Sequence, residues 1–266
     1  SFVDVDDVID VNERYLSYLF KEVLGIDVKL PIERITWQEA MDRFGSDKPD
    51  TRFGFEIQDI TETVKDIDFV VFKNAIAEGG SVRAINVKDG AATYTRKEID
   101  KLTEHAKGIG AKGLAYIRWA DEPNCSFKKF LGEGDLERIC EAVGAVKGDL
   151  VLICADKTNT VLSTLGALRL IAGKRMNVIP EDKYNFLWIT EMPFFEHDDD
   201  NDTWVAAHHP FTMPMEECLE YLDTDPANVR AKAWDLVLNG TELSSGSMRI
   251  TDYELQQKMF EALGMS

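Results

Sequence analysis

Positive charge is scarce in this chain: 30 Lys and Arg stand against 48 Asp and Glu, a formal net charge of −18. Such a surface repels polyanions, which excludes a general nucleic-acid-binding face. Any contact with a polyanion is local or made by other parts. Long apolar runs are missing too, and no stretch reaches the roughly eighteen residues that a membrane-spanning helix needs. No GxGxxG or GxxxxGK loop occurs, which removes a Rossmann site and a P-loop. Cys125, Cys140, Cys154 and Cys218 have no CxxC spacing. They read as small core residues in a reducing compartment rather than as a metal site. The amino terminus, Ser-Phe-Val-Asp-Val-Asp-Asp, has neither an initiator Met nor a secretory signal. It suggests a chain cut out of something longer.

What is present fits a folded protein. The 266 residues are 44% hydrophobic and 10% aromatic, enough for one large domain or two modest ones. Val8, Val11, Tyr15, Leu19 and Val23 recur at helical spacing, and Gly25 supplies a stop, so a helix is predicted from Asp4 to about Leu24. Capping boxes at Thr36-Trp-Gln-Glu39 and Thr95-Arg-Lys-Glu98 open two more helices, the first closed by Gly45 and the second ending near Lys107. Strands are predicted at Asp68–Lys73, Val82–Val87, Gly113–Arg118 and Asp149–Cys154, with helices at Leu136–Val143 and Thr158–Ala172. Residues 56–185 thus read as a compact α+β unit inserted between two outer pieces. Phe186–Thr190 and Thr203–Ala207 read as strands joined by the acidic stretch Glu196–Asp202, a solvated hairpin tip without the spacing of a calcium loop.

The last quarter carries the chemistry. Asn239-Gly240 lies between two apolar runs and favours a two-residue type I′ turn. That register pairs Leu238 with Thr241 and Val237 with Glu242, so Asp235 shares a face with Glu242 as a diagonal neighbour. Two readings fit such a pair. One is solvated surface acid. The other is a seat for a hard cation such as Mg²⁺, carried in by a nucleotide. Asp235 stands inside the apolar run Ala233-Trp-Asp-Leu-Val-Leu238, where a merely solubilising acid is out of place. Arg249 follows in Gly-Ser-Met-Arg-Ile, and an arginine fork beside carboxylates can grip a carboxylate substrate.

Four stretches together are similar to one family. They are Thr36-Trp-Gln-Glu-Ala-Met with Gly45-Ser-Asp-Lys-Pro-Asp-Thr-Arg52; Gly110–Ile117 with Leu165-Gly-Ala-Leu-Arg169; Ala207-His-His-Pro-Phe-Thr212; and Asn239-Gly-Thr-Glu-Leu-Ser-Ser-Gly-Ser-Met-Arg249. In this order they resemble the bacterial-type aspartyl-tRNA synthetases, a class II family. The resemblance implies an antiparallel-sheet catalytic domain (1–55 and 186–266) interrupted by a GAD insertion domain (56–185). It implies that His208 and Arg249 contact L-aspartate, that Glu242 binds ATP, and that Asp235 and Glu242 flank its Mg²⁺. It also implies tRNA as a partner, no membrane, a cytoplasmic location and a homodimeric parent. Class motifs 2 and 3 and the anticodon-binding domain have no counterpart among these residues, so the chain alone is expected to be inactive. Where the family carries more Gly, Ser244 and Ser245 stand here. His209 keeps a packing role. Lys48, Asp50 and Arg52 face tRNA or form a capped loop with internal ion pairs. GAD domains also occur in a tRNA-dependent amidotransferase, which gives the alternative of a tRNA-associated binding or amidotransferase module. Such a module should lack Asp235, Glu242 and Arg249 in class II order.

Overall fold

The protein is described from a computed structural model, which covers residues 3–198, 201, 203–207, 209–222 and 224–264. Its elements run α1 (Val5–Leu24), β1 (Glu33–Thr36), α2 (Trp37–Phe44), β2 (Ile57–Asp59), α3 (Thr61–Val64), α4 (Val70–Ala77), β3 (Ser81–Val87), α5 (Gly90–Thr93) and α6 (Arg96–Ile109). They continue with β4 (Ala115–Trp119), β5 (Pro123–Cys125), α7 (Asp135–Ala142), β6 (Leu150–Asp156), α8 (Thr158–Arg175), β7 (Phe186–Pro193), β8 (Phe195–Asp198), β9 (Thr203–Ala206), β10 (Arg230–Leu238), β11 (Thr241–Ser247) and α9 (Tyr253–Ala262). This is the α+β composition expected from the sequence. The chain divides into two compact units, one of residues 1–39 with 184–266 and one of residues 40–183.

The discontinuous unit is built on a sheet of order β1-β7-β10-β11. β1 runs parallel to β7, and the other pairs are antiparallel. α1 starts on a capping box made by Asp4 and Asp7 and stops at the left-handed Gly25. Its Ile9 and Leu16 pack with Trp188, Trp234 and Leu236 of the sheet. Glu13 is buried among them, and its Oε1 accepts from the Ile32 amide and the Trp188 indole, each at 3.1 Å. Burial of a carboxylate is tolerated when such donors satisfy it.

The contiguous unit carries an antiparallel sheet of order β2-β3-β6-β4-β5. β6 is buried along its whole length, because helices cover both faces. α6 and α8 pack Ile99, Leu102, Val161, Leu165 and Leu168 on Leu150, Leu152 and Cys154. Phe72, Ala75, Ile139 and Phe127 pack on Val151 and Ile153 from the opposite side. A strand buried on both faces reads as an unbroken apolar run, as Leu150-Val-Leu-Ile-Cys154 does.

Asp68–Lys73 is not a strand. Val70–Ala77 forms α4, with Phe72 and Ala75 buried one helical turn apart and Val70 and Val71 exposed. Phe69 stacks on Phe127 and packs on Phe130, at centroid distances of 5.5 and 4.9 Å. That aromatic cluster rewards a helical face and overrides the β-branched composition. The hairpin after β7 also differs from its expected form: β8 extends to Asp198, and His197 stands edge-on against Trp204 across the pair. Asp199, Asp200 and Asp202 of its tip lie outside the described residues. The four cysteines are free, buried thiols. Burial pushes Cys154 up to about 12 and Cys125 up to about 11. Asp50 and Arg52 form an internal ion pair at 2.7 Å, and Arg52 also donates to the Pro180 carbonyl. Lys48 is exposed.

Candidate functional site

The hairpin of β10 and β11 turns on Asn239 and Gly240, with φ of 52° and 86°. Two consecutive left-handed residues are what a type I′ turn requires. Leu238 pairs with Thr241 and Val237 with Glu242, the register the sequence predicts. The ladder then shifts. Leu236 pairs with Ser244 and Asp235 with Ser245, leaving Leu243 as the extra residue of a bulge. Asp235 and Val237 lie two apart on β10, and Glu242 opposes Val237, so the two carboxylates share a face. It is the face turned away from α1, since Trp234 and Leu236 alternate onto the α1 side. β10 is a central strand, with β7 on one side and β11 on the other, which buries Asp235 to 7% exposure. Glu242, on the edge strand, is half-buried.

Beyond Met248, whose amide still donates to the Lys232 carbonyl at 2.9 Å, the two strands separate, and the stretch Phe211–Met215 wedges between them. The Met213 amide donates to the Met248 carbonyl at 2.9 Å, and the Ile250 amide to the Phe211 carbonyl at 3.0 Å. On the other side the Lys232 amide donates to Met213 O and the Met215 amide to Arg230 O, both at 2.8 Å. Thr212 thereby stands opposite Arg249, and Pro214 opposite Ala231. Charged contacts fasten this junction. Lys232 holds Glu216 at 2.6 Å, and that hydrogen bond keeps its ammonium above the usual range against the pull of burial. Arg230 contacts Glu191 and reaches Glu217 at 3.4 Å. α9 closes over the outside. Gln256 donates to the Pro210 carbonyl at 2.9 Å, and Phe260 meets Phe211 edge-on.

The wedge brings together two segments that are far apart in sequence. Arg249 is exposed; its Nη1 donates to Ser247 Oγ at 2.6 Å and contacts the His209 ring. The His209 ring has further neighbours: Thr212 Oγ1 and the Phe211 amide each stand 3.3 Å from its Nδ1. His208, the sequence candidate for a substrate contact, lies outside the described residues. The structure thus joins Asp235 to Glu242 through one sheet face, and Arg249 to the His-Pro-Phe-Thr segment through one strand pairing. His209, to which the sequence gives only a packing role, is the residue that meets Arg249. No local signal could have found it, because its contact depends on a pairing between residues 40 positions apart, 209 and 249. Among the described residues no group of three or more His, Cys, Asp or Glu side chains is arranged to hold a metal ion. No described helix is long and apolar enough to cross a membrane.

Comparison with known proteins places this geometry in context. The model of the tRNA synthetases class II (D, K and N) matches residues 1–266. An aspartate–tRNA ligase of Agathobacter rectalis is 56% identical over 268 residues, covering 100% of this chain and 45% of the relative. An aspartate–tRNA ligase of Clostridium novyi is 54% identical over the same shares. An aspartate–tRNA(Asp/Asn) ligase of Caldanaerobacter subterraneus is 51% identical over 267 residues, again covering 100% of this chain and 45% of the relative. The chain therefore spans somewhat less than half the length of the curated relatives it matches.

Proposed function

The chain belongs to the class II tRNA synthetases of the D, K and N group, and from that we propose that it forms part of an aspartate–tRNA ligase. The observation that carries this reading is that relatives bearing that name match the chain from end to end at 51–56% identity. The match runs through both units rather than through residues 40–183 alone. This favours a ligase over a GAD-bearing amidotransferase module. We assign the inserted unit, residues 56–185 as read from sequence and 40–183 as the compact unit of the structure, to the GAD insertion, and the flanking residues to the catalytic domain.

In the proposed reaction a carboxylate oxygen of L-aspartate attacks the α-phosphorus of ATP. The new O–P bond gives aspartyl-adenylate, and pyrophosphate leaves. The aspartyl group then passes to a terminal ribose hydroxyl of tRNA, releasing AMP. No covalent bond to the protein forms, so its side chains work by positioning and electrostatics. Arg249 grips the side-chain carboxylate of aspartate, and His208 contacts the same substrate. An amide cannot form that charged fork, which suits rejection of asparagine. Glu242 binds ATP, with Asp235 beside it. Two carboxylates on one sheet face are a hard-oxygen donor set that suits Mg²⁺, which takes one or two carboxylates together with phosphate oxygens. Bound there, the ion offsets phosphate charge. tRNA and a second copy of the protein are the proposed macromolecular partners, and the cytoplasm the proposed location.

The test is aspartate-dependent exchange of pyrophosphate into ATP by the full-length protein carrying this segment. Arg249→Ala should lower the rate at subsaturating aspartate by more than about tenfold, through loss of a charge-assisted hydrogen bond. An unchanged rate would sink the assignment. The 266-residue chain alone should give no exchange.

A further inference from the structure

We propose that His209 is a positioning residue: it sets the guanidinium of Arg249 for the carboxylate of the substrate. The inference rests on the reading of Arg249 given above and adds to it a residue that acts through Arg249 without touching substrate.

A guanidinium on a long, exposed side chain samples many rotamers, and a site that binds a carboxylate bidentately needs one of them. Arg249 is exposed, opposite Thr212 in the strand pairing. Two contacts fix its Nη1: Ser247 Oγ at 2.6 Å and the imidazole of His209. Arginine has donors only, so the ring nitrogen that faces it must carry a lone pair. Phe211 and Thr212 set that tautomer. With the proton on Nε2 and donated to Thr212 Oγ1 at 3.4 Å, Nδ1 is left as the acceptor for the Phe211 amide and for Arg249 Nη1, each at 3.3 Å.

His209 is itself held by backbone. Thr212 and Arg249 oppose each other across the strand pairing, and the Thr212 amide donates to the His209 carbonyl at 3.3 Å. Pro210 is tied to Gln256 of α9, and Phe211 meets the His209 ring at 6.0 Å and Phe260 of α9 at 6.2 Å. The imidazole therefore stands on a fixed base, while the arginine it contacts has a free end. That asymmetry makes His209 the orienting partner and Arg249 the oriented one. The second nitrogen fork of Arg249, away from Nη1, stays available for a carboxylate.

The test uses the full-length protein and separates KM from kcat in the exchange reaction. His209→Phe keeps a ring of similar size and removes the acceptor. It should raise KM for aspartate by roughly tenfold and leave KM for ATP within about twofold. His209→Gln, whose amide oxygen replaces the acceptor, should recover KM for aspartate to within about threefold of the parent value. Should His209→Phe fail to fold, His209→Lys against His209→Gln decides, since an ammonium repels the guanidinium and the amide accepts from it. Equal aspartate KM for the Phe or Lys and the Gln variants would overturn the inference. Arg249→Ala run alongside keeps the two readings apart. If it leaves aspartate KM unchanged, the assignment of Arg249 fails. If it raises that KM while the His209 variants do not, only the role of His209 fails.

Discussion

Arg169 is 1% exposed, yet it carries a charge. Its guanidinium donates to the carbonyls of Asp50, Phe53 and Gly54 at 2.7 to 3.1 Å and lies 4.0 Å from the centre of the Phe53 ring. Burial lowers its pKa to about 10, which still leaves it cationic at neutral pH. Arg169→Met keeps the volume and strands three acceptors, at about 1–3 kcal/mol for each group left unpaired. We expect a loss of about 3 kcal/mol or more in urea unfolding. A loss under about 1 kcal/mol would show that the carbonyls find water. The Gly-Ala-Leu-Arg motif that contains Arg169 is legible in the sequence, but its clasp on residues 50–54 is not, since nothing local names a partner more than a hundred positions away. Asp50 belongs to the same cluster. Burial alone would raise its pKa, but the donors of Arg52 outweigh that and hold it below the usual carboxylate range. A depressed carboxylate contributes stability that is fully present above its unfolded pKa and lost as pH falls through the folded one. Asp50→Asn should therefore flatten the fall in stability below about pH 4, read as urea midpoints across that range. An unchanged slope would assign the acid sensitivity to other carboxylates.

Helix ends and tight turns are where the sequence speaks most directly, because caps and left-handed residues act over three or four positions. The capping boxes at Asp4 and Thr95, the hydroxyl of Thr36 that accepts the Glu39 amide at 3.1 Å, and the Asn239-Gly240 turn all follow local rules. Close crossings of elements are silent in sequence. Gly166 of α8 passes so near Gly45 that an added Cβ would stand 2.6 Å from the Gly45 carbonyl oxygen and 2.8 Å from that of Phe44. Those neighbours are backbone and cannot swing away. Gly166→Ala should cost about 2 kcal/mol or more despite the better helix propensity of alanine. A more stable variant in urea unfolding would show that α8 can slide. The misread strand at Asp68–Lys73 has the same origin. Val70-Val71-Phe72 satisfies a strand rule, and only the cluster of Phe69, Phe72, Phe127 and Phe130 makes a helix the better use of those side chains.

At the scale of the whole chain, residues 40–183 hold their own sheet, with a core on each of its faces. Such a unit has what independent folding needs. Residues 40–183 expressed alone should unfold in urea in one cooperative transition and show dispersed amide resonances. A non-cooperative transition would mean that the flanking pieces are required. The discontinuous unit has no such contiguous span, because β1 and β7 are parallel neighbours separated by the entire inserted unit.

Several features follow from the sequence alone: the acidic balance, the absence of membrane spans and phosphate loops, the helix caps, the Asn-Gly hairpin with its register, and the family resemblance. Each rests on composition or on rules that act over a few residues. Three others needed the tertiary structure: the bulge at Leu243, the wedge of Phe211–Met215 between β10 and Met248–Ile250, and the seating of His209 on Arg249. These are long-range pairings. Their free energy lies in contacts between segments that the chain order keeps apart, so no window of sequence contains them.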